Sequence, residues 1–265
     1  KNPVITFLKK KAPLATDSLS TIDFTFASFD NTVLSCNLYL TNQKEAKGTI
    51  ILLHGIRSNK SHFNKIRHRI SKMGFHSIAL DSRGHNLSSG QYCTFGVKEK
   101  KDISSLISYI GHKYKLTNKI GVWGQSLGGA IALQAMGYDK RICFGIIEST
   151  FSNFRQVTHD YFAYHLGFDI PIFTNYLIDR AGTIADFNPN DAIPSKYCKQ
   201  IDQPILVAHG TLDKRIDIKY NKLNFENIKS NSKEFIEVKD ANHLNLWLKG
   251  GNQYFLKVNK FLNTL

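Results

Sequence analysis

GVWGQSLGGA, residues 121–130, sets a nucleophilic side chain, Ser126, between Gly124 and Gly128 in an otherwise apolar run. Ile120, Val122 and Trp123 read as the end of a strand, and LGGAIALQAM has the small-residue and apolar spacing of a helix that starts at once. A strand that becomes a helix without a loop must turn sharply, and its apex residue is forced into a strained backbone. A Cβ at Gly124 or Gly128 would collide across that turn. The apex side chain is thereby held at the carboxyl end of a sheet, beside the positive end of a helix.

The rest of the chain supplies the sheet. STIDFTFASF and TVLSCNLYL are alternating runs separated by Asp30-Asn31, the pattern of an antiparallel hairpin. GTIILLHG, FHSIALD, KIGVWGQ, ICFGIIES and QPILVAHG are short, nearly continuous apolar runs, as expected of strands covered on both faces. KEFIEVKD completes eight strands. Phe63, Ile66, Ile70 and Met73 keep helical spacing, as do Ile103, Leu106, Ile107, Ile110 and Tyr114, so the intervening helices bury one stripe and expose their lysines. Further helices are expected near residues 217–228 and from about residue 245. The expected fold class is α/β: a mostly parallel eight-stranded sheet with an antiparallel N-terminal hairpin and helices on both faces. Residues 151–200, dense in aromatics, interrupt the alternation as a helical cap inserted after the sixth strand. The core is then 20–150 and 201–265, preceded by a flexible lead-in over 1–19.

Composition narrows the function classes. At 265 residues the chain fits one large domain, and no apolar stretch approaches the roughly 20 residues of a membrane-spanning helix. Cys36, Cys93, Cys143 and Cys198 lack metal-ligand spacing and read as buried free thiols. Such thiols permit either a reducing or an extracellular compartment: a soluble domain, cytoplasmic or exported after loss of an N-terminal signal or anchor. The net charge of +14 is spread over KSHFNKIRHRISK, KEKK and KYK, read as outer helix faces, without any nucleic-acid-binding module. A solvated basic surface is expected, with peripheral contact to anionic membrane as the alternative; the expected partners include no nucleic acid, and the chain is expected to be a monomer.

A serine hydroxyl needs a neighbouring base held by a third group. HGTLDKRI places Asp213 just past the strand PILVAH, and VKDANHLNL places His243 in the loop after the next strand, both at the sheet edge of Ser126. His243 would take the serine proton, and Asp213 would fix the imidazole tautomer. Asp217, four residues further on, is assigned to the following helix; Asp240 is incidental; His54 and His209 are read as structural, hydrogen-bonding loops near the site. Oxyanion donors are expected from the Leu127 amide and, in LLHGIRSN, from the Ile56 amide after Gly55, with Arg57 as an alternative donor or a loop-ordering ion-pair partner. No cofactor or metal is called for.

HGIRSN, DSRGHNLSSG, GQSLGG, HGTLD and NHLNLW together resemble the alpha/beta hydrolase superfamily, with the likeness running from about residue 20 to the end. DSRGHNLSSG, with Asp81, Arg83, Gly84, Ser88 and Gly90, is similar to the loop of the serine hydrolase branch that holds lysophospholipase-like, serine-aminopeptidase-like and acyl-protein-thioesterase-like members; Asn86 departs from it where glycine is usual. The resemblance implies a serine hydrolase, without fixing a substrate. The leading expectation is cleavage of small-molecule acyl esters or thioesters through an acyl-enzyme, with Phe151, Phe154, Tyr161, Phe162 and Tyr164, and with them Phe168, Phe173 and Tyr176, helping to line an acyl pocket. The rivals are a peptidase or amidase, in which Asp160, Asp169, Asp179 or Asp186 holds a substrate amine, and a noncatalytic ligand- or membrane-binding use of the scaffold.

Overall fold

The computed structural model describes residues 21–116 and 119–265; the lead-in expected over residues 1–19 lies outside them. Among the described residues eight strands form one sheet: β1 (Thr21–Ala27), β2 (Val33–Tyr39), β3 (Gly48–Leu53), β4 (Phe75–Leu80), β5 (Ile120–Gln125), β6 (Ile142–Glu148), β7 (Ile205–Gly210) and β8 (Lys233–Val238). Their order is β1-β2-β4-β3-β5-β6-β7-β8. Only β2 runs against its neighbours, pairing antiparallel with β1 and with β4. The hairpin loop is longer than the Asp30-Asn31 pair: pairing stops at Ala27 opposite Val33, and the Ser28 amide bonds the Thr32 carbonyl at 2.9 Å.

The chain reverses its direction of winding at β3, which lies between β4 and β5. Loops leaving the carboxyl ends of β3 and β5 therefore diverge and leave a crevice, the usual ligand site of an open α/β sheet. Leu53 pairs with Gly124, so the segment after β3 lies beside the turn after β5.

Apolar side chains fill both sides of the sheet. On one side Leu34, Ile51, Val122 and Ile147 pack against α2 (Glu99–Tyr114) and α3 (Leu127–Tyr138). On the other, Ile50, Leu52, Trp123 and Phe144 pack against α1 (Asn64–Lys72) and α8 (Leu246–Asn263), the latter broken at Gly251. The helical stripes expected from spacing are buried at Phe63, Ile66 and Ile70 and at Ile103, Leu106, Ile107 and Ile110. Two lysines assigned to solvent-facing helix sides are buried instead. Lys60 meets Asp81 at 2.6 Å, and Lys100 donates to the Val97 carbonyl at 2.8 Å. Of the thiols, Cys36 and Cys198 are buried, whereas Cys93 is half-buried and Cys143, the second residue of β6, is exposed between the buried Ile142 and Phe144.

Between β6 and β7 lie α4 (Phe154–Leu166), α5 (Pro171–Ala185) and α6 (Pro194–Cys198). α6 packs closely on α3: a Cβ on Gly137 would come within 2.8 Å of the Tyr197 carbonyl oxygen. The remaining helix, α7 (Ile218–Asn227), follows β7, and Asp217 caps its N-terminus by accepting from the Lys219 amide rather than lying inside it. No helix among the described residues is long and apolar enough to cross a membrane.

The turn from β5 to α3 has the strain read from sequence: Ser126 adopts φ +56°, a region that costs an L residue about 1–3 kcal/mol. A Cβ on Gly124 would lie 2.1 Å from the Gly128 carbonyl oxygen, across the turn. At Gly128 the obstacle is the neighbouring strand instead, with the Leu53 carbonyl oxygen at 1.9 Å. Gly128→Ala must displace backbone at the sheet centre and is expected to lower stability by more than about 3 kcal/mol or to abolish soluble protein. Gly167→Ala, at φ +80° with nothing within 4 Å, is expected to cost only about 1–2 kcal/mol. Urea denaturation of the two variants checks the ranking.

Candidate active site

The turn after β5 projects Ser126 toward a loop that follows β8. His243 Nε2 lies 2.9 Å from Ser126 Oγ, and His243 Nδ1 lies 2.7 Å from Asp213 Oδ2. Three segments distant in sequence thus meet in one hydroxyl–imidazole–carboxylate chain. Asp213 sits in the loop after β7, where its other oxygen accepts from the Arg215 and Ile216 amides at 3.0 Å each. Burial alone would push this carboxyl up; hydrogen bonds from His209 and His243 and the Ile216 amide outweigh it and hold Asp213 well below the usual carboxylate range. An anionic carboxylate at that position requires a proton on Nδ1, which leaves Nε2 free to accept from the serine.

The two histidines assigned to structure do anchor loops. His209 Nε2 lies 2.9 Å from the Ile216 carbonyl and 3.3 Å from Asp213, bracing the acid from below. His54, fully buried, accepts from the Ser82 amide through Nε2 at 3.1 Å, so its Nδ1 carries the proton and donates to the Gly55 carbonyl at 2.8 Å. Burial, the largest influence, lowers the His54 pKa to about 4 and keeps the ring neutral. The Gly55 carbonyl also accepts from the Ser58 amide at 3.2 Å. Because the peptide is planar and trans, fixing that carbonyl fixes the opposite direction of the Ile56 N–H. Gly55 adjoins the serine: a Cβ there would stand 3.3 Å from Ser126 Cβ. Among the described residues neither the Ile56 nor the Leu127 amide has a hydrogen-bond acceptor; Leu127 is the first residue of α3, where an unpaired N–H is inherent to the helix end.

The loop after β4 buttresses this arrangement. Asp81, fully buried, accepts from the Lys60 amide at 2.7 Å, from Lys60 Nζ at 2.6 Å and from Asn86 Nδ2 at 2.9 Å, tying the segments after β3 and β4 together. Asn86 takes φ +45°, so asparagine fills the place where glycine is usual. Arg83 joins Asp102 at 2.6 Å and Asp30 at 2.9 Å. Arg57, in contrast, is exposed and makes no ion pair among the described residues, so it does not order its loop in that way.

A cleft of about 860 Å³ opens beside the relay, between the loops after β3 and β4 and the end of α5. Its lining includes Ile56 and Arg57, which follow Gly55 in the chain, but not Ser126 or His243. Ile56, Leu87, Tyr92, Phe95, Ile184 and Phe187 form an apolar portion, and Asn59, His85 and Asn86 a polar one. None of the cap aromatics expected to line an acyl pocket is among the residues lining this cleft. Phe151 and Phe154 are core residues, Phe154 stacking on Phe95 at 3.9 Å. Phe162 is half-buried, while Tyr161, Tyr164, Phe168, Phe173 and Tyr176 are exposed. The aromatic density of the insertion gave no sign of which side its helices would turn inward.

One residue escaped attention as a site component. Glu148, at the end of β6 and fully buried, accepts from Trp123 Nε1 at 2.9 Å, Trp247 Nε1 at 2.8 Å, Tyr254 Oη at 2.5 Å and Gln125 Nε2 at 3.3 Å. Its carbonyl accepts from the Ser126 amide at 2.8 Å. Glu148 therefore links the serine turn to the segment just after His243. A carboxylate closing an all-apolar strand was the available signal, because a buried charge must find donors.

A family model described as Serine aminopeptidase, S33 matches residues 44–154. The chain is 24% identical to the uncharacterized Bacillus subtilis protein YqkD, the match covering 83% of this chain and 73% of that protein. It is also 24% identical to the alpha/beta hydrolase domain-containing protein WAV2 of Arabidopsis thaliana, over 98% of this chain and 85% of that one. Among solved structures, an esterase of Pyrococcus furiosus superimposes with a TM-score of 0.75 at 22% identity, covering 93% of each chain.

Burial pushes the Glu148 carboxyl up to about 7 against the pull of its donors. The folded protein thus keeps a proton that the unfolded chain loses near the ordinary value of 4.5, and stability from this group falls as pH rises from there through about 7. From pH 5 to pH 7 the loss is expected to be about 2 kcal/mol. Glu148→Gln is expected to be less stable at pH 5, by about 1–3 kcal/mol, because its amide nitrogen faces donors. It should also lose that slope, which urea unfolding of both proteins at the two pH values would reveal.

Proposed function

We propose, because this chain belongs to the alpha/beta hydrolase superfamily, that it is a serine hydrolase that cleaves acyl esters or thioesters through a covalent acyl-enzyme on Ser126. The observation that carries the proposal is the unbroken chain from Ser126 Oγ through His243 to Asp213, at 2.9 and 2.7 Å. Both distances lie within the reach that proton transfer needs before substrate arrives.

The steps follow from the positions of the groups. Ser126 Oγ attacks the acyl carbon as its proton passes to His243 Nε2, and the imidazolium is stabilised by Asp213. Charge gathers on the former carbonyl oxygen. The unpaired amides of Ile56 and Leu127 are fixed donors for it, the first held by the His54–Gly55 clip and the second by the start of α3. His243 returns the proton to the departing alkoxide or thiolate, which leaves Ser126 acylated. Water, deprotonated by the same imidazole, then attacks the acyl carbon, and the Ser126 oxygen leaves with the proton.

The cleft supports an acyl substrate rather than a peptide. Its volume is within the range of about 300–1,000 Å³ usual for small-molecule sites, and its apolar portion begins at Ile56, where the oxyanion would lie. A peptidase that grips a free amine needs an uncommitted carboxylate. Asp160 is bonded to Tyr220 at 2.6 Å and Lys219 at 2.9 Å, Asp169 to His159 at 2.7 Å and Thr174 at 2.6 Å, Asp179 to Arg155, and Asp186 to Lys98 at 2.8 Å.

Wild-type protein is expected to hydrolyse p-nitrophenyl esters faster than aminoacyl naphthylamides, and Ser126→Ala to lose at least about a thousandfold in kcat/KM. Fluorophosphonate labelling read by peptide mass spectrometry should modify Ser126 alone. Equal turnover by the variant, or a label elsewhere, would reject Ser126 as the nucleophile.

A further inference from the structure

The cap turns its large apolar side chains away from the protein. α4 buries only Phe154 and Val157, both in its first turn. α5 buries the single stripe Thr174, Ile178 and Gly182, and its first turn is exposed at Ile172 and Phe173. Between them Tyr164, Leu166, Phe168, Ile170, Ile172 and Phe173 stand in solvent, Ile172 with 87% of its surface exposed. Isolated exposed apolar residues are ordinary, but a run of this density on one hairpin marks a binding surface. From Tyr161 to Ile178 the only ionisable side chains besides tyrosine are His165 and Asp169, and Asp169 is already bonded to His159 and Thr174. The tip is thus a nearly uncharged, aromatic-rich projection.

The insertion springs from the carboxyl end of β6, and loops at that same edge of the sheet carry a second feature. Leu212, Leu244 and Leu248 are exposed there, Leu248 by 80%. Arg57, Lys214, Arg215, Lys239 and Lys249 are exposed on these loops or the adjoining first turn of α8, and none has an ion-pair partner among the described residues. Asp217 and Asp240 are the acidic residues exposed on the same loops, so cations remain in excess.

We propose that this edge, cap tip foremost, docks on an anionic lipid bilayer, with the aromatic and aliphatic tip entering the headgroup region and the loop cations facing the anionic lipids. The amphipathic ring of tyrosine is suited to the membrane interface, phenylalanine and aliphatic side chains bury below it, and juxtaposed lysines and arginines add electrostatic attraction. Charge selects the bilayer over a second copy of the chain. Two molecules of net charge +14 repel when their cationic edges approach, whereas an anionic surface attracts each of them. The docked face also carries His243, next to Leu244, so a membrane-bound molecule would present its relay toward lipid. The docking itself does not rest on Ser126 being a nucleophile.

The test is flotation of the full chain with vesicles of phosphatidylcholine alone or mixed with phosphatidylglycerol, for wild type and for the double substitution Ile172→Asp with Phe173→Ser. Both positions are exposed, so the melting temperature should hold, and turnover of a short soluble ester should be unchanged. Wild type should float with the anionic vesicles at least about tenfold more tightly than with phosphatidylcholine, more weakly as salt rises, and the double variant should lose at least about tenfold. Absence of flotation with either vesicle overturns the proposal, as does equal binding by wild type and variant. Analytical ultracentrifugation showing a dimer that the double substitution disperses, with no vesicle binding, would instead assign the face to a second copy.

Discussion

The tightest constraint in this molecule is the space between β3, β5 and the first turn of α3. The Leu53 carbonyl oxygen and the Gly128 carbonyl oxygen occupy the places where side chains on Gly128 and Gly124 would begin. That crowding lets a strand pass into a helix with no intervening loop, and it holds Ser126 at positive φ. The strain is sustained because the surroundings over-determine the turn. The Ser126 amide is bonded to Glu148, and its carbonyl accepts from Thr150 Oγ1 at 2.7 Å.

Around this point the site is built from loops that are individually pinned by buried polar groups. Lys60 and Asp81 join the segments after β3 and β4; His54 orients the Gly55 peptide; His209 and two amides brace Asp213; Glu148 gathers donors from β5 and α8. Each is costly to bury alone and tolerable only with its partners in place. The reward is positional: Ser126 Oγ and the imidazole stand at hydrogen-bond distance without a ligand to draw them together. A pre-organised relay of this kind asks little reorganisation of the protein when charge develops.

The cap contrasts with that rigid floor. Its first and last parts are core, through Phe154 and Cys198, while its hairpin tip has little to pack against. Surface that would be a liability in water becomes useful where water ends, which is the sense of assigning the tip to a bilayer.

Strand identities, helix stripes, the succession of elements along the chain and the spacing of Ser126, Asp213 and His243 were legible from residues alone, because periodicity and tight-turn glycine requirements are local properties of the chain. Lys60 departs from its expected place for the complementary reason: a lysine on a polar helix side is buried when a neighbouring loop brings Asp81 to it, and nothing local announces that neighbour. The aromatics of residues 151–200 told of apolar surface but not of its direction, since which side of a helix is covered depends on what the tertiary structure leaves beside it. Sequence therefore determined the fold and the chemical kinds at its edge. Only the packed chain decided that Ser126, His243 and Asp213 meet, that Glu148 sits beneath them, and that the cap faces outward, because each of these depends on contacts between segments the sequence keeps far apart.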